Sequence, residues 1–149
     1  MRIPSIIILA LAAAAVAAST ATATGAKGSA HFKTQNGKIY CLGSSGTRAF
    51  VYCGIKNGHL KPMPKPNCHG DDDPTGGWPN LNARGRTKIQ TCSGDPGPLA
   101  NPASAKVLAP GRTWSGGGIS CKATASAMTC RNKSQHGFTM TSSGPYKKF

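Results

Sequence analysis

Four histidines, His31, His59, His69 and His136, are the side chains of this 149-residue sequence whose ordinary pKa lies near neutrality. Acid–base chemistry would fall to them. There is no Glu, and the four acids are Asp71, Asp72, Asp73 and Asp95. His136, in His136-Gly137-Phe138, is the strongest candidate for a general base or a recognition residue. A base needs a partner within hydrogen-bond reach, and only Asp95 stands alone as an acid that could orient it. The plainer reading makes Gly137 a permissive backbone position beside a core Phe138, with His136 at the surface. That reading is preferred, and no catalytic residue is assigned. Asp71-Asp72-Asp73 offers oxygens to calcium, but the spacing of a calcium loop is missing and successive carboxylates diverge. A solvated acidic turn is expected there, with no metal and no cofactor.

Binding chemistry is better supplied. The sequence carries 18 Lys and Arg against 4 acids, a net charge of +14. The densest basic groups are Arg84-Gly85-Arg86-Thr87-Lys88, Lys61 to Lys65, Arg131 to Lys133 and Lys147-Lys148. Such a balance favours polyanions: nucleic acid, anionic headgroups or phosphate-rich wall polymers. The same charge can also serve only to keep the protein dissolved. Trp114, close to Arg112, could stack on a sugar or a base. With so few large apolar groups present, both Trp78 and Trp114 fit core anchoring better. The candidate binding residues are therefore Trp114, Arg112, His136, Arg84, Arg86 and Lys88. Asn132-Lys133-Ser134 matches a glycosylation sequon, which says little by itself.

These side chains need a scaffold, and the sequence has little apolar material for one. Met-Arg followed by an apolar run from Ile3 to Ala18 has the form of a secretory leader, with small residues for cleavage near 17–23. The run is shorter than the roughly 20 residues of a membrane span. The expectation is a leader over 1–23, a flexible arm over 24–30, and one domain over 31–149, exported and monomeric with no transmembrane anchor. Removing 23 of the 149 residues leaves 126, with 17 basic residues against 4 acidic ones. Leu, Ile, Val and Phe are 15 of those 126, a fraction that with high net charge ordinarily means disorder.

Six cysteines, Cys41, Cys53, Cys68, Cys92, Cys121 and Cys130, answer that shortage as a disulfide framework. Six allow fifteen pairings, and alternation selects among them. Ile39 and Cys41 share one face of a strand-like segment, and Val51, Cys53 and Ile55 share another. Facing Cys41 with Cys53 sets Ile39 opposite Ile55. Gly117-Gly118-Ile119-Ser120-Cys121 repeats the Gly-x-Ile-x-Cys pattern of residues 37–41. Facing Cys121 with Cys130 sets Ala123 opposite Met128. Cys68 then pairs with Cys92. Strands are expected at 38–42, 49–55, 118–123, 127–131 and 137–141, with another over Ile89-Gln90-Thr91-Cys92. Residues 61–82, with five prolines, read as a covering loop. The one helical turn is expected from Ala103 to Leu108. The fold class is all-β or mostly β, a small disulfide-stapled domain built on two hairpins with long irregular loops.

Phe32-Lys33-Thr34-Gln35-Asn36-Gly37-Lys38-Ile39-Tyr40-Cys41 resembles the Phe-x-Ser-Pro-Ser-Gly-Asn-Ile-x-Cys opening of a family of small secreted bacterial proteins filed as a domain of unknown function. The resemblance runs on through Thr91-Cys92-Ser93-Gly94-Asp95, Leu108-Ala109-Pro110-Gly111, Thr129-Cys130-Arg131-Asn132 and His136-Gly137-Phe138. It spans about residues 32 to 146. The Ser-Pro-Ser is absent here. The resemblance implies secretion and a compact disulfide-bonded β-domain, and brings no activity, ligand or catalytic residue.

The functional expectation is a secreted, basic, non-enzymatic binding or interaction module for anionic envelope polymers. The rival is a small secreted hydrolase of nuclease type, using His136 with a second histidine. A membrane-active toxin ranks last, since no amphipathic helix is visible.

Overall fold

The computed structural model describes residues 28–149 and the backbone of Ala23–Thr24. The leader expected over 1–23 lies outside the described residues, apart from Ala23. Nearly every element is a strand. In chain order these are β1 (Ala23–Thr24), β2 (Ser29–Lys33), β3 (Ile39–Ser44), β4 (Phe50–Ile55), β5 (Asp73–Asn82) and β6 (Lys88–Ser93). They continue with β7 (Lys106–Val107), β8 (Thr113–Gly116), β9 (Ile119–Ala123), β10 (Ala127–Asn132), β11 (Gly137–Thr141) and β12 (Tyr146–Lys148). Among the described residues no helix is long and apolar enough to cross a membrane.

The strands form two sheets, ordered β6-β5-β4-β3-β2-β7 and β1-β8-β9-β10-β11-β12. Each is an antiparallel meander of five consecutive strands with one short parallel strand added beside its first. The added strands are exchanged. β1, which precedes the first meander, pairs with β8 of the second, and β7, which precedes the second, pairs with β2 of the first. The Gly-x-Ile-x-Cys repeat thus marks the second strand of each meander.

Alternation explains the core. Val51, Cys53 and Ile55 turn inward from β4, and Met128 and Cys130 from β10, each spaced by two because strand side chains alternate. The inner faces of both sheets share one apolar cluster that includes the two hairpin disulfides. Ile39 lies opposite Ile55 and Cys41 opposite Cys53. Cys121 lies opposite Cys130, and Ala123 opposite Met128. The third disulfide joins Cys68 to Cys92.

The first strand of each meander contributes one aromatic to the seam. Phe32 lies opposite Cys41, and Trp114 opposite Cys121. Their rings stack with centroids 5.1 Å apart. A Cβ on Gly43 would meet the Trp114 ring at 2.5 Å, so the indole occupies space that only glycine leaves.

Three local expectations are corrected. The arm over 24–30 is not wholly an arm, because Ser29 and Ala30 open β2 and Thr24 pairs with Ser115. Their small side chains gave no alternation to read. The proline-rich stretch 61–82 ends in the ten-residue β5. It accepts Pro74 and Pro79 because β4 pairs only with Asn80 to Asn82, which leaves the rest of β5 bonded on one side. Ala103 to Leu108 holds no helical turn. Lys106–Val107 is extended against β2, and the short 3-10 turn is Gly97–Leu99.

Candidate functional site

His136 sits in the tight turn between β10 and β11, and one buried side chain holds that turn. Asn132 is 3% exposed. Its Oδ1 accepts hydrogen bonds from the backbone N–H of Ser134 (3.0 Å) and of His136 (3.1 Å). Its Nδ2 donates to the carbonyls of Asn82 (3.0 Å) and Gly85 (2.7 Å). The loop of His136 and the loop of Arg84 and Arg86 are thereby fixed to each other across the two sheets. Both amide atoms of the sequon asparagine are occupied in the interior.

Gly137 begins β11 and gathers three contacts. It exchanges backbone hydrogen bonds with Phe149, at 2.8 and 3.1 Å, and its carbonyl accepts from Thr87 Oγ1 at 2.8 Å. A Cβ at Gly137 would run into the Cys130 carbonyl oxygen and the Phe149 ring, so glycine is needed for this close approach. Phe138 behind it is fully buried.

The result is a hollow of about 340 Å³ lined by Arg86, Thr87, His136, Lys148 and Phe149. The Arg131 guanidinium lies 5.2 Å from the centre of the Phe149 ring, a cation–π contact, and its Nη1 donates to Gln135 Oε1. No carboxylate side chain lines the hollow. Two of the expected binding residues, Arg86 and His136, therefore meet. Arg84 and Lys88 are exposed on the neighbouring loop and strand start but do not line the hollow. Arg112 is exposed before β8 and is likewise not part of it. Trp114 is corrected as a binding residue: it is 7% exposed and stacked on Phe32, with no free face to offer.

The acids lie elsewhere. Asp73 and Asp95 line a separate cavity of about 280 Å³ beside Trp78. Asp72 Oδ1 approaches Gly94 there, and the Cys68–Cys92 bridge ties this end together. Tyr52 faces it, and burial first, then the Asp95 carboxylate, raise its phenol above the ordinary 10.0. His59 lines a third cavity, so the hollow of His136 and the cleft of His59 are distinct. Among the described residues no group of three or more His, Cys, Asp or Glu is arranged to hold a metal ion.

Arg86, Lys148, Arg131 and His136 around one aromatic ring can hold an anionic group and stack a flat one. Phe149 and Thr87 carry no sequence signal that points to a site. Lys147-Lys148 stood out only as charge, and Asn132 only as a sequon. The matching family model is described as a family of unknown function (DUF6636), and it covers residues 5–146. No curated protein and no solved structure matches the chain.

Proposed function

The chain belongs to that family of unknown function, and we propose that it is a secreted, non-enzymatic module that binds phosphate-rich anionic polymers. The observation that carries this reading is the hollow itself. It sets Arg86, His136 and Lys148 around Phe149, without a carboxylate side chain, on a protein that places Asp73 and Asp95 at another cavity. Three disulfides and an apolar leader-like start favour an oxidising, exported setting. Arginine grips phosphate oxygens in a bidentate fork and lysine acts as a point charge, so the pair suits phosphate groups along a flexible chain.

A salt titration tests this. Binding to a polyanion releases counterions, so affinity falls linearly on a log–log plot against salt, with a slope of about −0.7 per phosphate contact for a single strand. Arg86→Ala with Lys148→Ala is expected to flatten the slope by about 1.4, two such contacts, and to weaken binding at low salt by about tenfold or more. Absent or salt-insensitive binding would overturn the proposal. So would turnover of RNA that disappears in His136→Ala, which would make the site a hydrolase.

A further inference from the structure

A larger cavity than the hollow lies at the other end of the β11–β12 hairpin. It is a cleft of about 610 Å³ whose lining includes Lys38, Lys56, His59, Lys61, Ser142 and Ser143. Three lysines, a histidine and two serines border it, and again no carboxylate side chain lines the space. A cleft lined by one sign of charge raises the local concentration of counter-ions.

The cleft is built on fixed backbone. Asn36 Oδ1 accepts from Thr34 Oγ1 (2.8 Å) and from the backbone N–H of Lys38 (3.1 Å). Asn36 Nδ2 donates to Ser142 Oγ (3.1 Å), joining the first turn of one sheet to the last turn of the other. The N–H of Lys56 donates to the Lys38 carbonyl (2.8 Å), and that of Lys61 to the Gly144 carbonyl (2.9 Å). Lysines 38, 56 and 61 thus spring from three segments tied directly or through the Ser142–Gly144 turn, while their exposed side chains stay free to follow a ligand.

The edge strand β12 runs from this cleft to the hollow of Arg86 and His136, with Lys147 and Lys148 exposed along it. Beyond the Ser142–Gly144 turn that borders the cleft, the chain from Pro145 to Lys148 covers three residue steps, about 10 Å at roughly 3.3 Å per residue. Each strand of duplex DNA carries about one charge per 3.4 Å, and by that measure about three phosphates cover the stretch.

We infer that the two cavities are subsites for one linear phosphate polymer, which enters the hollow, follows β12 and ends in the lysine cleft. This rests on the polyanion reading above and adds a minimum ligand length. A chain that reaches both subsites binds the second one intramolecularly, which raises overall affinity by about 10² or more over either alone.

The test uses the full disulfide-bonded protein at low salt, titrated calorimetrically with tripolyphosphate and with a polyphosphate of about 20 units, several times the roughly three that follow β12. The unaltered protein is expected to take two tripolyphosphates but a single long chain, the latter bound about 10²-fold more tightly. Lys56→Ala with Lys61→Ala should take one tripolyphosphate and lose the long-chain advantage. Equal affinity for short and long probes, or a long-chain advantage untouched by the lysine substitutions, would overturn the two-subsite inference. If that unchanged advantage still vanished in Arg86→Ala with Lys148→Ala, the single-site reading would stand. Binding of neither probe would overturn both.

Discussion

A single buried amide decides where His136 and Arg86 stand. Asn132 uses both side-chain atoms, satisfying two carbonyls of one sheet's loop and two N–H groups of the other's. Removing such a partner leaves buried groups unpaired, at about 1–3 kcal/mol each. A sequon is a pattern of residue types, and nothing in it distinguishes an exposed asparagine from a structural one. Tyr52 carries a second residue-scale consequence. Burial and Asp95 raise its phenol above 10.0, and the Asp95 Oδ1 is meanwhile held by the Gly97 N–H at 2.7 Å. A folded-state pKa raised above the unfolded one stabilises the protein fully below pH about 10, and that contribution is lost as pH rises through the folded value. An ultraviolet absorbance titration should therefore show a late-ionising phase that Tyr52→Phe removes and Asp95→Asn shifts downward. A titration above pH about 10 that Tyr52→Phe leaves unchanged would contradict the assignment.

At the scale of elements, the protein is a meander written twice, joined where Phe32 and Trp114 stack. Trp114→Ala would empty a buried aromatic site against Gly43, so it is expected to cost about 3–5 kcal/mol. Urea denaturation measures this, and a loss below about 1 kcal/mol would contradict the seam role. Polyphosphate affinity of the folded variant should be unchanged, because Trp114 lines neither basic cavity. The hairpin registers were legible because a strand repeats every two residues and a facing cysteine pair fixes the frame. β5 was hidden because Pro74 and Pro79 forbid a two-sided ladder, and its one-sided bonding depends on where β4 stops. β12 was hidden because Tyr146–Lys148 is too short to alternate visibly. The hollow was half legible for the same reason. Arg86 and His136 stood out as residue types, while Lys148 and Phe149 reach them only through the register of an edge strand.

The whole molecule sets excess positive charge against a thin core. The disulfides close loops with separations of 9, 12 and 24 residues. Chain-entropy reasoning gives each about 3 kcal/mol, which together rivals the net stability of an ordinary domain. Two of the bridges lie in the shared core and the third anchors the acidic end. The surface they support is polar in the electrostatic sense: Asp73 and Asp95 line one cavity, and lysines, arginine and histidine line the other two. Anionic polymer is expected to bind at the basic cavities. Backbone amide shifts of the isotope-labelled protein, followed by NMR as polyphosphate is added at low salt, test it most directly. Changes are expected at Arg86, Thr87, His136 and Lys148, extending through Lys147 to Ser142 and Ser143, with Thr75 and Ser93 unmoved. Changes centred on the Asp73 and Asp95 cavity, or no changes at saturating polymer, would contradict it.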